Sequence, residues 1–361
     1  MHLPDLAARL VDPRGAISMT AFVFNEINFD DHEQVVFASE AKSGLKAIIA
    51  VHNTNLGPAM GGCRMWNYAD EAEAVRDVLR LSRGMTYKNA VAGLPIGGGK
   101  SVIIGNPKTD KTPALFEALG EALERLGGRY VTAEDVGTSP ADMANVASKT
   151  KYVAGLGDRG DPSPYTALGC FVGAQAAVKH HLKRDSFDGL TVALQGLGHV
   201  GYDYARQLKE AGAKLIVTDI DQGALKRAQE ELGAEVVAID AIYDVQADIY
   251  APCALGATLN PDTLSRLKAK IVAGGANNQL ATPEMGELCR QKGILYAPDF
   301  VINAGGIIKV CYEYLNTPED GMVAHVRRIG ETLAEVFARA DAEGLPTSVI
   351  ADRIAEAKFR K

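Results

Sequence analysis

Hydrophobic and polar positions alternate along the second half of the chain in blocks that predict repeated strand–helix units. Apolar runs at 190–195 and 214–218 are each followed by an amphipathic stretch, at 199–211 and 221–232. Further short apolar runs lie near 235–238, 248–252, 271–274 and 294–297. Because continuous apolar strands that alternate with helices are typical of a parallel sheet covered on both faces, we expect an α/β fold.

The first half predicts a more mixed arrangement. Residues 34–52 predict two strands around a turn at Lys42-Ser-Gly, because apolar runs flank a short polar segment. The spacing of apolar positions predicts helices over 70–83 and 112–126 and strands at 101–105 and 129–133. The polar, turn-rich segment 157–164 then indicates a domain boundary.

Composition and charge restrict the classes of function that the chain can have. With 361 residues, of which 47% are hydrophobic, the chain is long enough for two domains with sizeable cores. The net charge of -7 argues against a nucleic-acid partner, and no apolar run approaches the roughly 18 residues of a membrane span. The five scattered cysteines form no Cys-x-x-Cys pair and the histidines no metal-binding motif, which predicts a cytoplasmic location and no metal site.

A glycine-rich turn between the strand at 190–195 and the helix at 199–211 predicts a dinucleotide-binding site. It reads Gly196-Leu-Gly198-His199-Val200-Gly201, with Gly-x-Gly-x-x-Gly spacing. The first glycine permits the tight bend, the second lets the backbone approach a pyrophosphate, and the third lets the helix pack on the strand. Asp219 ends the next strand, where a carboxylate binds a ribose hydroxyl, so NAD is favoured over NADP. The alternative is a tight turn without a ligand.

Two lysines, Lys88 and Lys100, lie in apolar, glycine-rich sequence with no acidic residue between them. A lysine kept out of water needs a charged partner or loses its proton, so such a pair can bind an anionic substrate and supply a base. The alternatives are two surface lysines, or a phosphate-binding loop that ends at Lys100. That loop requires glycine at Leu94 and a helix after the lysine, whereas a strand is predicted at 101–105, so a nucleoside triphosphatase is disfavoured.

Several longer motifs carry a resemblance to a known family. They are Gly57-Pro-Ala-Met-Gly-Gly-Cys-Arg-Met-Trp66, Gly84-Met-Thr-Tyr-Lys-Asn89, Gly97-Gly-Gly-Lys100, Thr132-Ala-Glu-Asp-Val-Gly137, Ala251-Pro-Cys-Ala-Leu-Gly-Ala257, Gly275-Ala-Asn-Asn-Gln279 and Val301-Ile-Asn-Ala-Gly-Gly306. Over about residues 20–358 the chain resembles the glutamate/leucine/phenylalanine/valine dehydrogenase family, and within it most closely the leucine dehydrogenases.

That resemblance implies an N-terminal substrate and oligomerisation domain at 1–153, an NAD-binding Rossmann domain at 154–339, and an active site in the cleft between them. The C-terminal helix at 340–361 is expected to pack back on the first domain, and the chain to form a homo-oligomer. Residues 1–18 precede the usual start of the family and are expected to be dispensable.

By the same resemblance, Lys88 binds the substrate α-carboxylate, Lys100 is the catalytic base and Asp135 assists proton transfer. These roles suit oxidative deamination of an L-amino acid to the 2-oxo acid and ammonia, because a desolvated lysine beside another cation can activate water. The positions expected to contact the substrate are Met60, Gly61, Ala133, Asn277, Ile307 and Val310, and those expected at the cofactor are Thr166, Gly196, Gly198, His199, Val200, Gly201, Asp219 and Asn278.

Met60 bears on which amino acid is bound. Glutamate dehydrogenases carry a lysine there to hold the side-chain carboxylate, and because a thioether cannot pair a carboxylate, glutamate is rejected. Ala133, Ile307 and Val310 are also apolar, so leucine, valine or isoleucine is expected. Phenylalanine is the alternative, since apolar walls discriminate weakly. From a different class, a catalytically silent NAD-binding sensor is the alternative, and it would not need a base.

Overall fold

The computed structural model describes residues 29–156 and 160–360. The expectation for residues 1–18, and part of the boundary predicted at 157–164, therefore lie outside the described residues. Two β-sheets, one in each half of the chain, organise the structure, and the α/β fold expected from the sequence is confirmed.

The first sheet contains five strands in the order β1-β2-β4-β3-β5. Their bounds are Gln34–Glu40 (β1), Leu45–Asn53 (β2), Ala59–Trp66 (β3), Gly97–Ile104 (β4) and Tyr130–Glu134 (β5). The hairpin predicted over 34–52 is confirmed, since β1 and β2 pair antiparallel. The strands β4, β3 and β5 run parallel to one another, so the residues that follow them lie along one edge of the sheet.

The second sheet is parallel throughout and has six strands in the order β11-β10-β9-β6-β7-β8. Their bounds are Thr191–Gln195 (β6), Lys214–Thr218 (β7), Glu235–Val236 (β8), Ile249–Pro252 (β9), Ile271–Val272 (β10) and Leu295–Tyr296 (β11). This is the doubly wound order of a dinucleotide-binding fold, whose ligands bind beyond the carboxyl ends of the two central strands, here β6 and β9.

Helices cover both sheets, and their bounds are as follows. They are Glu71–Val91 (α1), Pro113–Glu124 (α2), Pro140–Ala147 (α3), Ser163–Ala177 (α4), His199–Glu210 (α5), Gln222–Leu232 (α6), Pro261–Arg266 (α7), Glu284–Gln291 (α8), Asp299–Ile302 (α9), Gly305–Tyr314 (α10), Met322–Glu343 (α11) and Thr347–Phe359 (α12). None of the helices in the described ranges is long and apolar enough to cross a membrane.

The helix α1 is longer than the 70–83 expected from its pattern. Asp70 caps its first turn by accepting a hydrogen bond from the Glu73 amide at 2.8 Å. Gly84 does not end the helix, because the turns beyond it bury Tyr87 and Asn89 against the protein. Lys88 therefore lies in the last turn of a helix rather than in a loop.

The glycine run before Lys100 is the interior of β4, which starts four residues earlier than the strand predicted at 101–105. Close packing against α1 explains why glycine is needed here. A Cβ on Gly98 would lie 2.0 Å from the amide nitrogen of Thr86, a distance that no side chain can occupy. Because α1 packs closely on β4, Lys88 and Lys100 lie near each other and line the same cavity.

The last helix, α12, returns to the first sheet. The Tyr87 hydroxyl donates a hydrogen bond to the Glu356 carboxylate at 2.6 Å, and the rings of Tyr87 and Phe359 lie 5.2 Å apart. Lys358 also donates to the carbonyl oxygen of Val91 at 3.1 Å. The end of the chain thus contacts the helix that carries Lys88.

Candidate active site

A cavity of about 420 Å³ lies between the two sheets. Its walls come from α1, β3, β4 and the end of β5 on one side, and from residues near α9 and α10 on the other. The predicted substrate residues that line it are Met60, Gly61, Lys88, Lys100, Ala133, Asp135, Asn277, Ile307 and Val310. The structure therefore brings together the whole predicted substrate set, from segments more than 200 residues apart.

Lys100 and Asp135 form an ion pair within this cavity. Lys100 is only 6% exposed, and its Nζ lies 2.9 Å from Oδ2 of Asp135. The Nε of Arg64 donates to the same oxygen at 3.3 Å. Burial alone would raise the pKa of Asp135, but the positive charges of Lys100 and Arg64 outweigh it and lower that pKa to about 2. Asp135 is therefore a carboxylate at any physiological pH.

Lys88 reaches across the cavity to the second sheet. Its Nζ donates to Oδ1 of Asn277 at 3.1 Å, and Asn303 donates to the same oxygen at 2.8 Å. Protein surrounds the ammonium group although part of it opens on the cavity. Burial lowers the pKa of Lys88 to about 8, with Lys100 reinforcing the effect and the carboxylate of Asp299 opposing it. The ammonium group of Lys88 is thus hydrogen-bonded to a neutral amide, whereas that of Lys100 has a carboxylate partner.

The wall beside these charges is apolar. Met60 is fully buried in β3, while Ala133, Ile307 and Val310 are half-buried and open on the cavity. The aromatic residue Phe300, which the sequence did not indicate, also lines the cavity. An aliphatic side chain placed against these residues would be removed from water, and none of these side chains offers a cation to a carboxylate.

The glycine-rich turn has the backbone that dinucleotide binding requires. Gly196 has a φ of +99°, and a Cβ on Gly201 would lie 2.0 Å from the carbonyl oxygen of Gly196. Within the described residues, nothing approaches within 4 Å of the point where a Cβ of Gly198 would stand, and no side chain caps α5 there. The amides of the first turn are therefore available to a phosphate, and the turn fits a dinucleotide.

The other predicted cofactor residues lie around this turn and the cleft. Asp219 follows β7, and its carboxylate accepts a hydrogen bond from the Leu197 amide within the turn. His199 begins α5 with its side chain largely exposed, and its Nδ1 lies 3.1 Å from Oδ2 of Asp161. Val200 lies in the first turn of α5, and its Cγ1 would stand 3.0 Å from a Cβ on Gly275.

Thr166 and Asn278 lie toward the cavity side of this cofactor region. Thr166, in the first turn of α4, donates to the Pro162 carbonyl at 3.4 Å, and its hydroxyl occupies the space that a Cβ on Gly306 would need. Asn278 lines the cavity in a left-handed conformation with φ of +53°. The structure thus separates the predicted cofactor residues into those at the turn and those nearer the substrate residues.

Three of the polar residues that sequence reasoning missed contact the predicted set or lie near it. Arg64 contacts Asp135, Asn303 contacts Asn277, and Asp299 lies in the cavity wall near Lys88. Arg64 and Asn303 lie inside motifs that carried the family resemblance, so their motif position was the available signal. Among the described residues, no group of three or more His, Cys, Asp or Glu side chains could hold a metal ion.

One sheet is parallel and carries a dinucleotide-binding turn, and the cavity between it and the other sheet contains Lys88 and Lys100. This combination is typical of a nicotinamide-dependent oxidoreductase that acts on a small acid. Family models match both halves of the chain. The model described as Glu/Leu/Phe/Val dehydrogenase, dimerisation domain, matches residues 32–152, and the Glutamate/Leucine/Phenylalanine/Valine dehydrogenase model matches residues 220–339. The chain belongs to this family of amino acid dehydrogenases.

Individual relatives are similar over nearly the whole chain. A leucine dehydrogenase of Thermoactinomyces intermedius is 51% identical over 93% of both chains. A phenylalanine dehydrogenase of Bacillus thermotolerans is 45% identical over 91% of this chain and 89% of its own. The crystal structure of L-tryptophan dehydrogenase from Nostoc punctiforme superposes with a TM-score of 0.83 at 43% identity, covering 94% of this chain and 98% of that one.

Proposed function

We propose that this amino acid dehydrogenase uses NAD to deaminate branched-chain L-amino acids, leucine above all, reversibly to the 2-oxo acid and ammonia. The observation that carries the proposal is the meeting of Lys88, Lys100 and Asp135 in one cavity with an apolar wall. The greater identity to a leucine dehydrogenase than to a phenylalanine dehydrogenase supports the choice of leucine.

The charged residues divide the chemistry between them. The ammonium group of Lys88 would bind the substrate α-carboxylate by a charge-assisted hydrogen bond and fix the position of Cα. A bound nicotinamide ring supplies the acceptor for the Cα hydride. Lys100 would then take a proton from the water that adds to the substrate iminium carbon. Asp135, 2.9 Å from Lys100, would hold the amino group and exchange a proton with it as ammonia leaves.

The apolar wall supports an aliphatic substrate. Met60 is fully buried beside half-buried Ile307 and Val310, so this wall offers a leucine side chain contact without any polar group to desolvate. A glutamate side chain would lose hydration against Met60, Ile307 and Val310 without gaining a cation from them. Phenylalanine remains the second candidate, because the aromatic residue Phe300 lines the same cavity.

The remaining assignments follow from the same proposal. Asp219 at the end of β7 would accept hydrogen bonds from a ribose and repel a 2′-phosphate, which favours NAD over NADP.

We assign residues 1–153 to a substrate and oligomerisation domain, with 340–361 packed on it, and 154–339 to the NAD-binding domain. A cytoplasmic homo-oligomer is proposed, supported by the dimerisation domain that matches the first half.

One set of assays tests the proposal. Purified protein is given L-leucine, L-phenylalanine or L-glutamate with NAD or NADP, and the reduced cofactor is measured. We expect the highest kcat/KM with L-leucine and NAD, and Lys100→Ala should lose about 10²-fold or more in kcat while it still binds NADH. A protein that reduces neither cofactor with any amino acid would refute the enzyme, and a Lys100→Ala rate near wild type would refute the base.

A further inference from the structure

Among the described residues, two cations contact Asp135, and the proposed chemistry gives no part to one of them, Arg64. It lies on β3, and its guanidinium bridges two carboxylates. Its Nε donates to Oδ2 of Asp135 at 3.3 Å, and its Nη1 donates to Oδ2 of Asp77 at 2.9 Å. Because Lys100 contacts the same oxygen of Asp135, that oxygen is shared between a lysine and an arginine.

The two cations differ in whether they can change charge. A guanidinium stays protonated throughout the pH range of proteins, whereas an amine that acts as a base must alternate between charged and neutral forms. Each time Lys100 became neutral, Asp135 would lose an ion-pair partner while mostly enclosed by protein. An unpaired carboxylate in such a place is strongly destabilised, which would oppose the loss of the proton from the lysine.

The guanidinium of Arg64 is held in place beside Asp135. Its side chain is only 20% exposed, and Asp77 fixes its far end. Asp77 is in turn anchored on α1, where it accepts hydrogen bonds from the Tyr68 hydroxyl at 2.8 Å and from Arg80 at 2.9 Å. The guanidinium is therefore tethered to the helix that also carries Lys88.

We propose that Arg64 is a positioning residue, a permanent countercharge that compensates the charge of Asp135 and keeps it in place while Lys100 is without its proton. The inference rests on the proposed function, because it assumes that Lys100 cycles as a base. The electrostatics of the site agree with it, since Arg64 is, beside Lys100, a charge that holds the pKa of Asp135 down despite burial.

The test compares Arg64→Gln, Arg64→Lys and Arg80→Gln in the pH dependence of kcat/KM, with the amino acid that the wild type oxidises fastest. Arg80 is the matched control, because it donates to Asp77 and, within the described part of the chain, forms no hydrogen bond or ion pair with Asp135. Without Arg64, proton release from the ion pair is harder, so the acidic limb for deamination should move up by about one pH unit. In Arg64→Gln, kcat should fall more than KM rises.

The two other variants separate charge from shape. Arg64→Lys should restore most of the position of the acidic limb, because it restores the charge, and Arg80→Gln should leave the limb where the wild type has it. An unmoved limb in Arg64→Gln, or an equal shift in Arg80→Gln, would overturn the proposal. NADH binding, measured in parallel, shows whether each variant is folded.

A second measurement does not depend on turnover. In a double-mutant cycle of Arg64→Gln and Asp135→Asn, the unfolding equilibrium constants should show a coupling of about tenfold between the two residues. Additive effects would contradict the countercharge role even if the wild type proved inactive with every amino acid. An inactive wild type would instead count against the proposed function, so the two failures remain distinguishable.

Discussion

At the scale of single residues, the site depends on two lysines whose surroundings differ. Lys88 is paired with a neutral amide of Asn277, and burial lowers its pKa to about 8. Lys100 is paired with the carboxylate of Asp135 at 2.9 Å. An ammonium group without a nearby carboxylate partner can form an ion pair with a carboxylate of a ligand. The proposed binding of the substrate requires this of Lys88.

This difference predicts a pH dependence for carboxylate binding. Below pH 8, Lys88 is already protonated and binds an anion without exchanging a proton. Above pH 8 it is neutral in the free protein and must take up a proton on binding, so the Kd of 4-methylpentanoate should rise by up to tenfold per pH unit. Titration calorimetry in buffers of different ionisation enthalpy measures this uptake directly. In Lys88→Arg the Kd should stay flat across the same range, and a flat wild-type profile would show that Lys88 does not bind the carboxylate.

At the scale of elements, the contact between α1 and β4 sets the distance between the lysines. A Cβ on Gly98 would meet the Thr86 amide at 2.0 Å, and backbone cannot move aside as a flexible side chain can. Gly98→Ala should therefore lower the free energy of unfolding by about 3 kcal/mol and raise the KM for the amino acid, as α1 is pushed from the sheet. Urea denaturation and steady-state kinetics measure the two effects.

A second glycine on the same helix provides the control. Gly84 is helical and exposed, and among the described residues nothing lies within 4 Å of its would-be Cβ. Gly84→Ala should stabilise the protein by roughly 0.5–1 kcal/mol, because alanine has less backbone freedom to lose in a helix. If Gly98→Ala proved as harmless as Gly84→Ala, close packing would not be the reason for the glycine run.

These elements also show where the sequence was informative and where it was not. The strands and helices around the dinucleotide turn follow local patterns of apolar spacing, and β6, β7, α5 and α6 begin and end within one or two residues of the positions expected. The pattern missed β3 and the start of β4, because glycines there are dictated by contact with other elements rather than by local preference.

The residues of the candidate site likewise divide into those that the sequence indicated and those that it did not. Lys88, Lys100 and Asp135 stood out as unusual residue types in apolar sequence or after a strand. Arg64 and Asp299 did not, since a charged residue in a chain has no local mark that says which carboxylate or lysine it will meet. Contacts between segments distant in sequence require the fold.

At the scale of the whole molecule, α12 joins the two sheets. It begins beside the second sheet, where the Thr347 hydroxyl donates to the Tyr296 carbonyl at 2.7 Å. It ends on the first, where Phe359 packs against Tyr87 and His52 with ring centroids 5.2 and 6.1 Å away. Since Tyr87 adjoins Lys88 in the chain, the helix links the relative position of the two sheets to the residue proposed to bind the substrate carboxylate.

Removing the anchor at the end of this helix should therefore affect both stability and substrate binding. Phe359 is 1% exposed, so Phe359→Ala should lower the free energy of unfolding by about 3–5 kcal/mol. The KM for the amino acid should rise as well, because Tyr87 loses the ring that holds its end of α1.

Val349→Ala is the matched control on the same helix, since Val349 is 37% exposed and should change stability by only about 0.5 kcal/mol. Thermal unfolding and kinetics of both variants test the link, and a destabilised Phe359→Ala whose KM equals that of the wild type would show that α12 stabilises the fold without positioning Lys88.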